Sequence, residues 1–200
     1  MLDTNIAAQF ALRWLHFIFG ILWIGHLYFF NFVNGNFQAK LDAATKQKVV
    51  PELMPRALWF FRWGAMFTLL TGLAILYVRF FIGDRGGFSA MMASSYGHWI
   101  SMGAGLGIIM WFNVWFIIWP NQKKIIAAVK AGEKPDAAKV ELARKASKFN
   151  TFLSIPMLFG MGAASHLPVS DWKLVVGAIV IGFAIAQLLY KIAPKVGVNQ

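Results

Sequence analysis

The chain has 200 residues, of which 58% are hydrophobic and 14% are charged, and its formal net charge is +11 at pH 7. Typical soluble domains contain about 25% charged residues, and a chain of this length cannot bury so much apolar surface in one globule. The composition therefore excludes a soluble monomer and a disordered chain. The absence of cysteine excludes disulfides, iron–sulfur clusters and a covalently attached c-type haem.

Five apolar segments follow one another along the chain, and each reaches or approaches the roughly 20 residues that a bilayer-spanning helix needs. Inside lipid the backbone must bond to itself, and strand-like alternation is absent, so we predict helices. The first segment lacks a basic leader and a clear cleavage site, and we expect it to be retained. The prediction is an all-α integral membrane protein, a single transmembrane domain over residues 1–200 with about five spans. The spans are residues 6–32, 57–82, 97–119, 149–167 and 174–190.

Basic residues are distributed unevenly between the two sides of this predicted bundle. The polar segments 33–56 and 120–148 share one side with the C-terminus and carry most of the 19 lysines and arginines. Basic loops stay in the cytoplasm, so we predict an external N-terminus and a cytoplasmic C-terminus. We interpret the basic segments as solvated loops that contact anionic membrane lipids. They offer no folded basic surface for nucleic acid.

Histidines are the main ionisable residues inside the predicted spans, where such residues are costly and often functional. The predicted topology places His16, His98 and His166 in the outer half of the bundle. His26 lies near the inner end of the first span without a histidine at its own depth, and we interpret it as structural. Asn113, in contrast, is expected to bond between helices.

Two glycines accompany the outer histidines on the same helix faces. Gly20 follows His16 by four residues, and Gly162 precedes His166 by four, so each glycine lies one turn deeper than its histidine. Glycine leaves room for a flat macrocycle, although close helix packing also explains these residues. We predict one b-type haem with His16 and His166 as its axial iron ligands. Arg13, one turn outward, either pairs with a haem propionate or extends to the interface.

His98 leaves alternatives open. It could replace one of the two ligands, bind a second ligand or substrate, or form a hydrogen bond at the interface. Together with His16 and His166 it could form a copper or zinc site, although no Asp or Glu in the spans supports one. A non-redox subunit or a small transporter is a further alternative, but five spans do not divide into two equal repeats.

Several longer motifs carry a family resemblance. They are RWLH (13–16), WIG (23–25), MPRALW (54–59), RWG (62–64), NVWFIIWPNQ (113–122), LSIPM (153–157) and SH (165–166). Over roughly residues 9–167 the chain resembles the membrane domain of bacterial cytochrome-c-linked urate oxidases, also called urate hydroxylases. The string that ends in WPNQ is the most specific part, and His16 and His166 both fall within matching motifs.

The resemblance implies a protein of the bacterial inner membrane that oxidises urate to 5-hydroxyisourate and passes electrons to a C-terminal cytochrome c module. The sequence has no cysteine, so we expect a short form whose partner is a separate cytochrome c or another redox subunit, in a homo- or hetero-oligomer. The leading prediction is a membrane redox protein with one b-type haem. The second is an enzyme that oxidises urate or another small molecule at the same site, with a histidine as its acid–base group.

Overall fold

The computed structural model describes residues 4–82 and 86–197, and every regular element in these two ranges is helical. The long helices are α1 (Thr4–Tyr28), α3 (Ala43–Phe80), α5 (Ser95–Phe112), α6 (Trp119–Lys130), α7 (Ala137–His166) and α8 (Trp172–Ile192). The short elements are α2 (Gly35–Ala39), α4 (Gly87–Met92), two π-helical segments (Phe29–Asn34 and Asn113–Ile118) and a 3₁₀ turn (Ala193–Lys195). The all-α prediction is confirmed.

Four of the described helical stretches are long and apolar enough to cross a membrane: Ile6–Ala39, Ala43–Phe80, Ser95–Lys130 and Trp172–Lys195. The predicted span 149–167 lies in α7, which is not among them. Its polar residues Asn150, Thr151 and Ser154 lower the hydropathy of this segment, and all three are completely buried. A helix that turns polar side chains towards protein neighbours needs less apolar character than one surrounded by lipid. The chain is therefore a multi-pass helical membrane protein, while the number of crossings and the orientation stay predictions.

Several helices extend beyond the ends of the predicted spans. α3 begins at Ala43, so much of the segment 33–56, expected to be a loop, is helical even though Pro51 lies inside the helix. α5 continues through the second π-helical segment into α6. Between α6 and α7 the backbone turns at Gly132, whose φ of 76° is a conformation that glycine adopts without strain. The next helix then starts at Asp136, whose carboxylate accepts a hydrogen bond from the Ala138 N–H at 2.9 Å.

A buried amide pair ties α7 to the second π-helical segment. The side chain of Asn113 donates to Asn150 Oδ1 at 2.7 Å, and Asn150 Nδ2 donates to the Met110 carbonyl at 2.9 Å. The second of these bonds joins α7 to the last turn of α5, just before the π-helical segment. Asn113 thus bonds between helices, as its position in the third span predicted.

Helices α5 and α7 cross at two glycines with almost no space between their backbones. A Cβ atom on Gly160 would lie 3.0 Å from both the Gly103 nitrogen and the Trp99 carbonyl oxygen, and 2.7 Å from Met102 Cε. Two of these three neighbours are backbone atoms, which cannot move without separating the helices. Small residues of this kind allow membrane helices to approach closely.

We expect Gly160→Ala to lower the free energy of unfolding by about 1–3 kcal/mol, the usual penalty for overpacking a tight core. Gly105→Ala is the matched control, because Gly105 also lies in this helix pair and nothing is within 4 Å of its added Cβ. Thermal unfolding of both variants in detergent measures the effect. Equal melting temperatures for the two variants would contradict the close crossing.

Candidate functional site

A cavity of about 510 Å³ lies between α1, α3, α5 and α7. Its size falls within the range of roughly 300–1,000 Å³ that is usual for cofactor and ligand sites. Most of the lining side chains are aliphatic, aromatic or methionine. The polar and charged residues in the lining are Arg13, His16, Thr68, Tyr96, Ser165 and His166. The cavity is therefore an apolar chamber in which two imidazoles and one guanidinium are the main polar groups.

His16, on α1, is held by a hydroxyl group of α3. Its Nδ1 lies 3.1 Å from Thr71 Oγ1, and that hydroxyl donates its own proton to the Phe67 carbonyl at 2.6 Å. With that proton given to the Phe67 carbonyl, Thr71 accepts from His16, and this arrangement places the ring proton on Nδ1. The lone pair of the neutral ring is then on Nε2, the atom that can bind a metal.

His166, at the C-terminal end of α7, also has its ring proton on Nδ1. Its hydrogen-bond partner is a backbone carbonyl instead of a hydroxyl. Its Nδ1 lies 2.8 Å from the carbonyl oxygen of Gly162, one turn earlier in the helix. A carbonyl can only accept, so Nδ1 carries the proton and Nε2 carries the lone pair. Histidines that ligate metals usually donate their other ring N–H to a carbonyl or another acceptor in this way.

The structure brings together four of the six predicted site residues. His16, His166, Arg13 and Gly162 all line the cavity. Gly20 is not part of the lining, although Trp23, further along the same helix, is.

His98 also lies outside the cavity lining. Its side chain is exposed, and its Nδ1 is 2.7 Å from Ser170 Oγ, which corresponds to the interfacial hydrogen bond among its predicted roles. In the described residues, no three His, Cys, Asp or Glu side chains are close enough to hold a metal ion. His26 likewise bonds locally, from Nδ1 to the Leu22 carbonyl, and stacks on Phe60 with 6.0 Å between ring centres.

Two further residues shape the cavity and were missed by the sequence analysis. Gly72 of α3 faces His16, and a Cβ atom there would lie 3.1 Å from His16 Cε1. Trp23 of α1 lines the cavity with only 2% of its surface exposed. Its Nε1–H is buried and has no acceptor in the part of the chain that the structure describes. No local signal distinguishes either residue from the other glycines and tryptophans of the spans.

These residues fit a b-type haem. The macrocycle is flat and apolar, as is most of the lining, and its iron binds neutral imidazole nitrogens. Two histidines on separate helices, the partly buried His16 and the exposed His166, line this one cavity, and Arg13 supplies a positive charge for a propionate. Arg13 is exposed, which is consistent with a place at the mouth of the cavity.

Comparison with known proteins adds a family assignment to this geometry. A family model described as urate oxidase N-terminal matches residues 4–88 and 87–193. No curated protein and no solved structure matches the chain. The two matched segments together contain every residue that lines the cavity.

Proposed function

The chain belongs to the urate oxidase N-terminal family, and on this premise we propose that it is a membrane redox protein with one b-type haem between His16 and His166. It exchanges single electrons with an external cytochrome c or another redox subunit, in a bacterial inner membrane. The proposal extends the family assignment to a particular cofactor and to two particular ligands.

The observation that carries the proposal is the pair of histidines that line one apolar cavity, each with its Nδ1 atom in a hydrogen bond inside the protein. Both use Nδ1 for a hydrogen bond inside the protein, at 3.1 Å for His16 and 2.8 Å for His166. Each ring therefore keeps its Nε2 lone pair for a ligand. Two such rings in the lining of one apolar cavity are an arrangement that bis-histidine ligation requires.

The other residues of the cavity have roles that follow from their chemistry. When bound, haem supplies an iron that alternates between the ferric and ferrous states. Arg13 orients the group by pairing with a propionate, since a guanidinium binds a carboxylate through two parallel hydrogen bonds. Thr71 holds the His16 ring at a fixed angle. Most of the lining is aliphatic, aromatic or methionine, so Arg13, His16 and His166 would be the basic groups nearest to the cofactor.

The predicted topology indicates the side of the membrane on which electrons are exchanged. With an external N-terminus, His16 and the C-terminal end of α7 lie in the outer half of the membrane. A partner cytochrome on that side would approach the mouth of the cavity near Arg13. The uneven distribution of basic residues supports this orientation.

Optical spectroscopy of the purified full chain tests the proposal. We expect a coloured protein whose reduced-minus-oxidised spectrum has the α-band of a six-coordinate b-type haem, at about one haem per chain. The dithionite-reduced pigment should be reoxidised by added ferric cytochrome c. A chain that is colourless after expression with ample haem, and that does not bind added haemin, would contradict the proposal.

Family membership also favours a second candidate, the oxidation of urate within the same cavity. Conversion of urate to 5-hydroxyisourate would consume one water and release two electrons and two protons, and the electrons would pass one at a time through the haem to the partner cytochrome. Neither a carboxylate nor a histidine other than the two proposed iron ligands lines the cavity, so the protons would pass to water. Reduction of the pigment by urate, without dithionite, would support this candidate. Reduction by a partner cytochrome alone would favour the electron-transfer role.

A further inference from the structure

A second group of basic and aromatic side chains lies apart from the cavity, where α3 meets the start of α6. The Arg62 guanidinium carbon is 3.9 Å from the centre of the Trp119 ring and 5.9 Å from that of Trp115. The Lys123 ammonium is 5.7 Å from the centre of the same Trp119 ring. We refer to Arg62, Trp115, Trp119 and Lys123 as the basic–aromatic cluster.

The positive charges of this cluster have no ion-pair partner in residues 4–82 and 86–197. The ion pairs there join Arg56 to Glu52, Lys139 to Asp136, and both Arg144 and Lys145 to Glu141. Arg62 and Lys123 flank one indole ring and therefore repel each other. The electron-rich ring face offsets only part of that repulsion, and an anion that bridges both groups would remove it.

The cluster also has hydrogen-bond donors without acceptors. Arg62 Nε and Trp115 Nε1 are both buried and have no partner among the described residues. Arg62 is only partly buried, so atoms of its side chain other than Nε are accessible. The side chain of Lys123 is exposed. A group rich in acceptor oxygens could reach the accessible atoms of both cations.

The predicted position of the cluster in the membrane indicates the source of these acceptor oxygens. Trp119 is the last residue of the predicted span 97–119 and Lys123 follows it, while Arg62 lies near the start of the predicted span 57–82, on the same side of the membrane. Tryptophans favour the level of the lipid headgroups, and basic residues there attract anionic lipids. Arginine binds phosphate through its planar fork, and lysine adds a second point charge. We propose that the basic–aromatic cluster is a binding site for the phosphate of an anionic phospholipid headgroup.

Arg79 offers a matched control within the same helix. It lies near the other end of α3, and its guanidinium carbon stacks 3.8 Å from the centre of the Tyr96 ring. Arg79→Gln therefore removes the same charge and the same kind of aromatic contact at a different level of the membrane. It leaves the basic–aromatic cluster intact.

Native mass spectrometry of the full chain in detergent, with phosphatidylglycerol or phosphatidylcholine added, tests the site. We expect wild type to retain phosphatidylglycerol over phosphatidylcholine, and Arg62→Gln or Lys123→Gln to weaken that retention about tenfold, the loss of one charge-assisted contact. Arg79→Gln should retain the lipid as wild type does. Because Lys123 is exposed, Lys123→Gln provides the test if Arg62→Gln fails to fold.

Three results would overturn the inference. The first is equal retention of the two lipids by wild type. The second is an equal loss of phosphatidylglycerol from Arg79→Gln and from the cluster variants. The third is displacement of the lipid by millimolar inorganic phosphate, which would assign the cluster to a soluble anion instead.

Discussion

Replacement of either His16 or His166 with alanine should abolish the haem spectrum of the purified chain. Each residue would supply one of the two axial nitrogens, and the lining contains no other histidine. Loss of a residue that only orients a metal ligand commonly lowers metal affinity about 10–100-fold, and loss of a ligand should exceed that. We expect the haem content per chain to fall by more than about tenfold in both variants.

His98→Ala and His26→Ala are the matched controls, because both histidines form hydrogen bonds outside the cavity lining. Both variants should keep their haem. Thermal unfolding of all four proteins separates loss of the cofactor from loss of the fold, and added imidazole should restore part of the pigment to the His16 variant. If His98→Ala alone lost the pigment, the assignment of the ligands would be wrong.

A leucine at position 72 should close the cavity and prevent cofactor binding while the chain still folds. The Cβ atom alone would lie 3.1 Å from His16 Cε1, tighter than an ordinary contact, and the leucine adds three further carbons. Since Gly72 lines the cavity next to His16, we expect those carbons to occupy part of the cavity and to displace the His16 ring. We expect Gly72→Leu to lower the haem content about as much as His16→Ala.

The control for this substitution is Gly105→Leu. Gly105 is exposed, lies outside the cavity lining and has no atom within 4 Å of its added Cβ. It should keep its haem content, which a spectrum normalised to protein concentration measures. Full haem content in Gly72→Leu would show that the pigment binds somewhere other than this cavity.

The helices could be predicted because apolar length is a local property of the sequence. Alternation of span direction predicts one level for His16 and His166, and both residues line the same cavity. Membrane character was harder to assign to α7, because its buried polar residues, such as Asn150, face protein rather than lipid. Hydropathy cannot distinguish these two environments.

The rotation of each helix about its axis could not be predicted. Gly20 follows His16 by one turn but does not line the cavity, whereas Gly72, on a different helix, contacts the His16 ring. Which face of one helix meets another depends on contacts between residues far apart in sequence, such as the crossing at Gly160. The hydrogen bond between His98 and Ser170 also joins residues far apart in the chain, since 72 positions separate them.

The most direct test of the account is a density map of the purified, coloured chain at a resolution that shows side chains. The account predicts a flat density between α1 and α7, bonded on its two faces to Nε2 of His16 and Nε2 of His166. A cavity that contains lipid or collapsed side chains, with the two rings turned away from each other, would contradict it.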